Sequence, residues 1–138
     1  MGQTTSIDIA GPIMRQDRDA SISPTARSIL QIAYDPALLK VRQIMLEKSG
    51  YRVTSALGND NGIALVQNGQ FDVVVIGFST RLSAREHMVR WIKQHAPDVQ
   101  VVVLLAHEYE KFPDADYSTL SEDPEKWLAA VADCIRTL

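Results

Sequence analysis

Phe71-Asp72-Val73-Val74-Val75-Ile76 is the stretch on which the reading of this chain turns. After Asp72 come four consecutive β-branched residues, and an unbroken apolar run of this length suits a strand buried on both faces, as in the middle of a parallel sheet. Parallel neighbours require crossovers, so the flanking sequence should alternate short apolar strands with helical stretches. It does so in both directions. Upstream, Ile29 to Ala33 is a short apolar run, and Asp35-Pro36 supplies a helix cap followed by a residue suited to the first turn. Leu38, Val41 and Met45 then recur at helical spacing with Leu39 and Leu46 beside them, and Gly50 stands just past the end as a stop. Arg52 to Ala56 reads as a second strand, and Asn59 or Asp60 opens a shorter helix that carries Ile63, Ala64 and Val66 and stops near Asn68-Gly69. Downstream, Arg81 to His95 is a helix with Met88, Trp91 and Ile92 on one side, closed by Ala96-Pro97. Gln100 to Leu105 is a fourth strand and Ala115 to about Thr119 a weak fifth. Asp123-Pro124 starts a last helix with Trp127, Val131, Cys134, Ile135 and Leu138 along one stripe. The expected architecture is α/β: a doubly wound, five-stranded parallel sheet with helices on both faces.

The rest of the sequence bounds what such a domain can do. At 138 residues, 46% hydrophobic and 22% charged, the chain suits one ordinary core and no special class. A formal charge of −3 without any basic stripe argues against a reader of nucleic-acid backbones. The single cysteine, Cys134, has no partner for an intrachain disulfide, and no run is long and apolar enough to cross a bilayer, so the expectation is a soluble, cytoplasmic protein without membrane contact. Residues 1–27 hold Gly, Pro, Ser, Thr and alternating charges with no sustained apolar period, and read as a mobile N-terminal arm ahead of a domain at 28–138. Ile7, Ile9, Ile13 and Met14 make a docking peptide the sharper alternative for that arm.

In this order the pieces resemble the receiver domains of bacterial response regulators. Ile29 to Leu39 is similar to the opening strand and acidic turn of that family, and Leu46-Glu47-Lys48-Ser49-Gly50-Tyr51-Arg52-Val53 to its first helix end and second strand. Phe71 to Ile76 resembles the third strand, Ala96-Pro97-Asp98-Val99-Gln100-Val101-Val102 the start of the fourth, and Ala115-Asp116-Tyr117 with Asp123-Pro124-Glu125 the fifth strand and last helix. The resemblance implies a flavodoxin-like receiver fold and, in the family, phosphoryl transfer to an aspartate at the end of the third strand. That chemistry needs a carboxylate nucleophile, a Mg²⁺ held by acidic side chains and donors for the transferring group. Here the acceptor's place falls on Gly77, the two metal-holding places on Ala33 and Tyr34, the hydroxyl of the fourth strand on Leu105 and the lysine of the fifth on Leu120. The resemblance therefore implies a degenerate receiver with no catalytic residue, no metal and no cofactor. The segment from Leu105 to Ala115 is too short for the family's fourth helix, and Pro113 blocks continuation, so a shortened fourth helix of one turn at most is expected.

The expected function is a phosphorylation-independent protein-interaction module in two-component, or phosphorelay, signalling, not an enzyme. Its partner would be a histidine kinase, another receiver or a second copy of itself, with Tyr117 at the family's switch position and Trp127 as possible interaction residues. The alternative is a flavodoxin-like binder of a small molecule in an apolar pocket at the strand C-termini, lined by Gly77, Leu105, Leu120 and Tyr34. A third possibility is an acceptor elsewhere, at Asp35 or Ser79. Asp35 reads more simply as a helix cap, Cys134 as a buried small hydrophobe, and His87, His95 and His107 as surface or satisfied histidines.

Overall fold

The computed structural model describes residues 26–78 and 81–138. The expected arm, except for Ala26 and Arg27, and the candidate acceptor Ser79 lie outside the described residues. Among the described residues nine elements follow one another: β1 (Ser28–Ala33), α1 (Pro36–Lys48), β2 (Arg52–Leu57), α2 (Asn59–Asn68), β3 (Val73–Ile76), α3 (Leu82–His95), β4 (Gln100–Leu105), β5 (Tyr117–Leu120) and α4 (Pro124–Arg136). The strands form one sheet in the order β2-β1-β3-β4-β5, and every neighbouring pair is parallel. The order reverses between β1 and β3, so the chain winds in both directions from the centre and puts helices on both faces.

The unbroken run Val73 to Ile76 is central and buried throughout, as a strand covered on both faces must be. Its alternate residues feed two separate cores. Val74 and Ile76 join Leu30, Ile32, Met88, Ile92, Val101 and Val103 on one face, while Val73 and Val75 join Ile29, Leu46, Val102, Leu104, Trp127 and Val131 on the other. On the first face α2 comes so close to β1 that a Cβ at Gly62 would stand 2.6 Å from Cδ1 of Ile32, so the absence of a side chain sets the helix-to-sheet distance there.

Asp35 and Asp123 cap α1 and α4 with their carboxylates, each followed by proline in the first turn. The fifth strand begins at Tyr117 rather than Ala115, because Ala115 is taken into a turn whose N–H donates to the Phe112 carbonyl. Between β4 and β5 the shortened fourth helix is reduced to turns, including one in which the Glu110 N–H donates to the His107 carbonyl.

The apolar stripe expected for α1 is rotated. Its buried residues are Leu39, Arg42, Gln43 and Leu46, whereas Val41 is 49% exposed and Leu38 only partly covered. The spacing is that of an inward helical face, but two of its four members are polar. Gln43 is satisfied inside a small network: the Gln31 amide donates to the Ser55 hydroxyl and to the Leu39 carbonyl, and the Ser55 hydroxyl donates to Gln43 Oε1 at 2.8 Å. The same pattern recurs in α3, where Arg85, Met88, Val89 and Ile92 form the buried stripe and Arg85 is only 2% exposed. Both helices thus carry an arginine into the interior near the C-terminal edge of the sheet.

Candidate functional site

The C-terminal edge of an open parallel sheet, at the point where strand order reverses, is where such folds place their sites. Here that point lies between β1 and β3. Gly77 directly follows β3 and continues its ladder, its N–H donating to the Ile32 carbonyl at 2.7 Å. A side chain at residue 77 would enter a space already taken: its Cβ would lie 2.9 Å from Nη1 of Arg42, 3.0 Å from the Ala33 methyl and 3.1 Å from the Ile32 carbonyl oxygen. The Arg42 guanidinium reaches this spot from α1, lies 5.6 Å above the Phe78 ring and is 5% exposed as a residue. Burial lowers its pKa from the usual arginine value, and the charge of Asp35 acts in the opposite direction. Asp35 itself is engaged as the cap of α1, with Oδ1 accepting from the Ala37 and Leu38 N–H groups. Among the described residues no carboxylate lies within 4 Å of Arg42, and no hydrogen bond from its guanidinium is made.

Tyr34 stands apart from this spot. Its ring lies against Gly58, 3.3 Å from where a Cβ would be, and its hydroxyl accepts from the Asn59 N–H at 3.0 Å. It therefore bridges from the end of β1 toward β2 and α2, on the far side of β1 from β4. Leu105 and Leu120 face each other in register at the ends of β4 and β5 and belong to the core under α2 and α3. The expected apolar pocket framed by Gly77, Leu105, Leu120 and Tyr34 is thus not assembled: the leucines pack inward, Tyr34 leans the other way, and a guanidinium fills the space at Gly77.

Beyond Leu105 the chain is held by an ion pair. Arg85 Nη1 and Nη2 donate to Glu110 Oε1 and Oε2 at 2.9 and 2.7 Å, with both side chains nearly closed to solvent. Arg85 also donates to the Leu104 carbonyl at 3.3 Å and covers the Phe112 ring, while Glu110 Oε1 accepts from the Ala106 N–H at 2.8 Å. The hydrogen bonds from Arg85 hold the Glu110 carboxyl down at about 2, against the opposing effect of burial.

Tyr117 is half-buried at the start of β5 and packs against the core under α4. Trp127 takes the core place that its helical stripe implies and not that of an interaction residue: it is 1% exposed and inside that same core, so it offers no surface for a partner. Its stripe of Trp127, Ala130, Val131 and Cys134 faces inward because α4 covers the second face of the sheet. Cys134 is wholly buried there, and burial, helped by the charge of Asp116, raises its thiol to about 11.

No protein-family model matches this chain, and no curated protein matches it. Solved structures do. The response regulator TrrA from Thermotoga maritima, in complex with Mg²⁺ and BeF, is 16% identical, with 78% of this chain and 98% of that one covered at a TM-score of 0.71. The signal receiver domain of an HD domain-containing protein from Pseudomonas fluorescens Pf-5 gives 14% identity, 81% and 96% coverage, and a TM-score of 0.73. This chain has the receiver fold. A chain in the crystal structure of histidine kinase ThkA in complex with TrrA matches as well, with 17% identity, 78% and 97% coverage, and a TM-score of 0.69. Identities this low carry the receiver architecture, and every chemical statement about the site rests on this chain's own residues.

Three of those residues escaped the sequence reading. Arg42, Arg85 and Glu110 sit in or beside the C-terminal edge, and none matches a motif. The available signal was spacing: Arg42 falls between Leu39 and Leu46, and Arg85 precedes Met88, Val89 and Ile92, each within an inward-facing helical stripe. Among the described residues no group of three or more His, Cys, Asp or Glu side chains is placed to hold a metal ion. No described helix is long and apolar enough to cross a membrane.

Proposed function

We propose that this chain is a degenerate receiver, a protein-interaction module of two-component signalling that works without accepting a phosphoryl group. The observation that carries the reading is the guanidinium of Arg42 lying where a side chain on Gly77 would stand. Acceptance at the end of β3 requires a nucleophilic carboxylate and a divalent cation beside it. This end of β3 has no side chain, and the fixed positive charge next to it repels a metal ion rather than recruiting one. Ala33, Tyr34, Leu105 and Leu120 supply none of the remaining groups. The relatives in fold are signal receivers, one of them solved in complex with a histidine kinase, which supports a protein partner: a kinase, another receiver or a second copy of this chain.

The test is covalent chemistry. Incubation with acetyl phosphate and Mg²⁺ should leave the intact mass unchanged, and the Gly77→Asp variant should stay equally inert. In that variant the new carboxylate would meet Arg42 before any metal, and a carboxylate paired to a guanidinium is a poor nucleophile. Uptake of an alkali-labile phosphoryl group by the parent chain, or efficient labelling of Asp at residue 77 in the single variant, would overturn the proposal.

A further inference from the structure

The two inward arginines differ in one respect. Arg85 meets Glu110 in a forked pair, whereas Arg42 has no carboxylate within 4 Å and donates no hydrogen bond among the described residues. Both are almost entirely covered, at 2% and 5% exposure. A guanidinium removed from bulk water and left unpaired is unfavourable, and the natural remedy is an anion with two oxygens to match its fork. None of the Arg42 nitrogens is among the fully enclosed polar atoms without partners, so the group keeps an opening to solvent. Its place is the reversal point of the strand order, beside a residue without a side chain, with the guanidinium carbon 5.6 Å from the centre of the Phe78 ring. Asp35 lies near enough to act through its charge, but its Oδ1 is committed to the start of α1.

We propose that the Arg42 guanidinium, at the strand ends beside Gly77 and Phe78, forms a reversible binding site for a small oxyanion, a phosphate or a carboxylate, that leaves no covalent trace on the chain. The site where receivers take a phosphoryl group would then still sense anions, with the cation supplied by α1 in place of a metal. This inference does not depend on partner docking, because it concerns the isolated chain.

The experiment is a titration of the ¹⁵N-labelled full chain with inorganic phosphate, and separately with acetate, against chloride at equal ionic strength and pH. Saturable shifts are expected at Arg42 Nε–Hε and at the Gly77 and Phe78 amides, with a Kd on the order of 1 mM for the better anion. The two arms identify which oxyanion class is preferred. Arg42→Met should weaken binding at least about tenfold, a full logarithmic unit in Kd. Gly77→Asp should do the same by supplying an internal carboxylate. Shifts at Arg42 that grow linearly, or that chloride reproduces, overturn the proposal from the parent chain alone, whatever the variants do. Retained affinity in a folded Arg42→Met variant would equally show an adventitious ion only.

Discussion

Glu110→Ala should destabilise the fold by about 3–5 kcal/mol, because it strands the Arg85 guanidinium in an interior that offers only the Leu104 carbonyl and the Phe112 ring in return. Urea unfolding followed by circular dichroism at neutral pH measures this directly. Glu110→Gln keeps an acceptor and should lose less. A double replacement by Arg85→Met and Glu110→Leu should recover much of the loss, since removing both charges removes the need for the pair. An additive double variant would mean that the two side chains do not act together. The same pair dictates an acid response. The Glu110 carboxyl is lowered in the folded state from 4.5 to about 2, so its contribution is complete above the unfolded value and disappears as pH falls through the folded one. Stability should therefore decline between about pH 4.5 and 2, by on the order of 3 kcal/mol from this group, and Glu110→Gln should flatten that part of the profile.

Trp127→Ala should be as damaging, at about 3–5 kcal/mol, through the cavity left between α4 and the sheet. The contrast with a partner anchor is direct. A tryptophan on a docking surface loses affinity when truncated while the unfolding midpoint holds, whereas a core tryptophan lowers the midpoint whatever the partner does. Trp127→Phe keeps most of the buried volume and should fall between the parent and the alanine variant. An alanine variant with an unchanged urea midpoint would return Trp127 to the surface and overturn its placement in the core.

The architecture was legible because it rests on features that sequence displays openly. The Val73 to Ile76 run marked the central strand, and Asp35-Pro36 and Asp123-Pro124 marked two helix starts by their capping chemistry. The edge chemistry was only half legible. Reading Gly77 as a position without an acceptor took nothing more than register, but the arrival of Arg42 at that position depends on the rotation of α1 about its axis. Counting only apolar residues turned that helix toward Leu38 and Val41, while the fold turns it toward Leu39, Arg42, Gln43 and Leu46. A polar residue is normally taken to mark the outer face, and the rule fails where a buried amide finds partners, as Gln43 does, or where a neighbouring residue has no side chain, as beside Arg42. Arg85 misled for the same reason, with its partner Glu110 twenty-five residues away in a segment without regular structure.

The link between β4 and β5 is tied at two points to one helix. Arg85 grips Glu110 midway along the link, and Lys93, about two turns further along α3, meets Asp116 at the link's end at 2.6 Å, where the same carboxylate oxygen accepts from the Val101 N–H. With turns in place of a helix, the segment has little structure of its own to retain once α3 lets go. The third helix, the link and the last strand should therefore open as one cooperative unit. In native-state amide exchange, the protected amides of α3 and β5 should share one opening free energy, and Lys93→Met should lower both together. Separate opening energies would mean that the link yields independently. If the opening free energy is shared, a disturbance at the last strand reaches the third helix as a single concerted loosening of this half of the sheet.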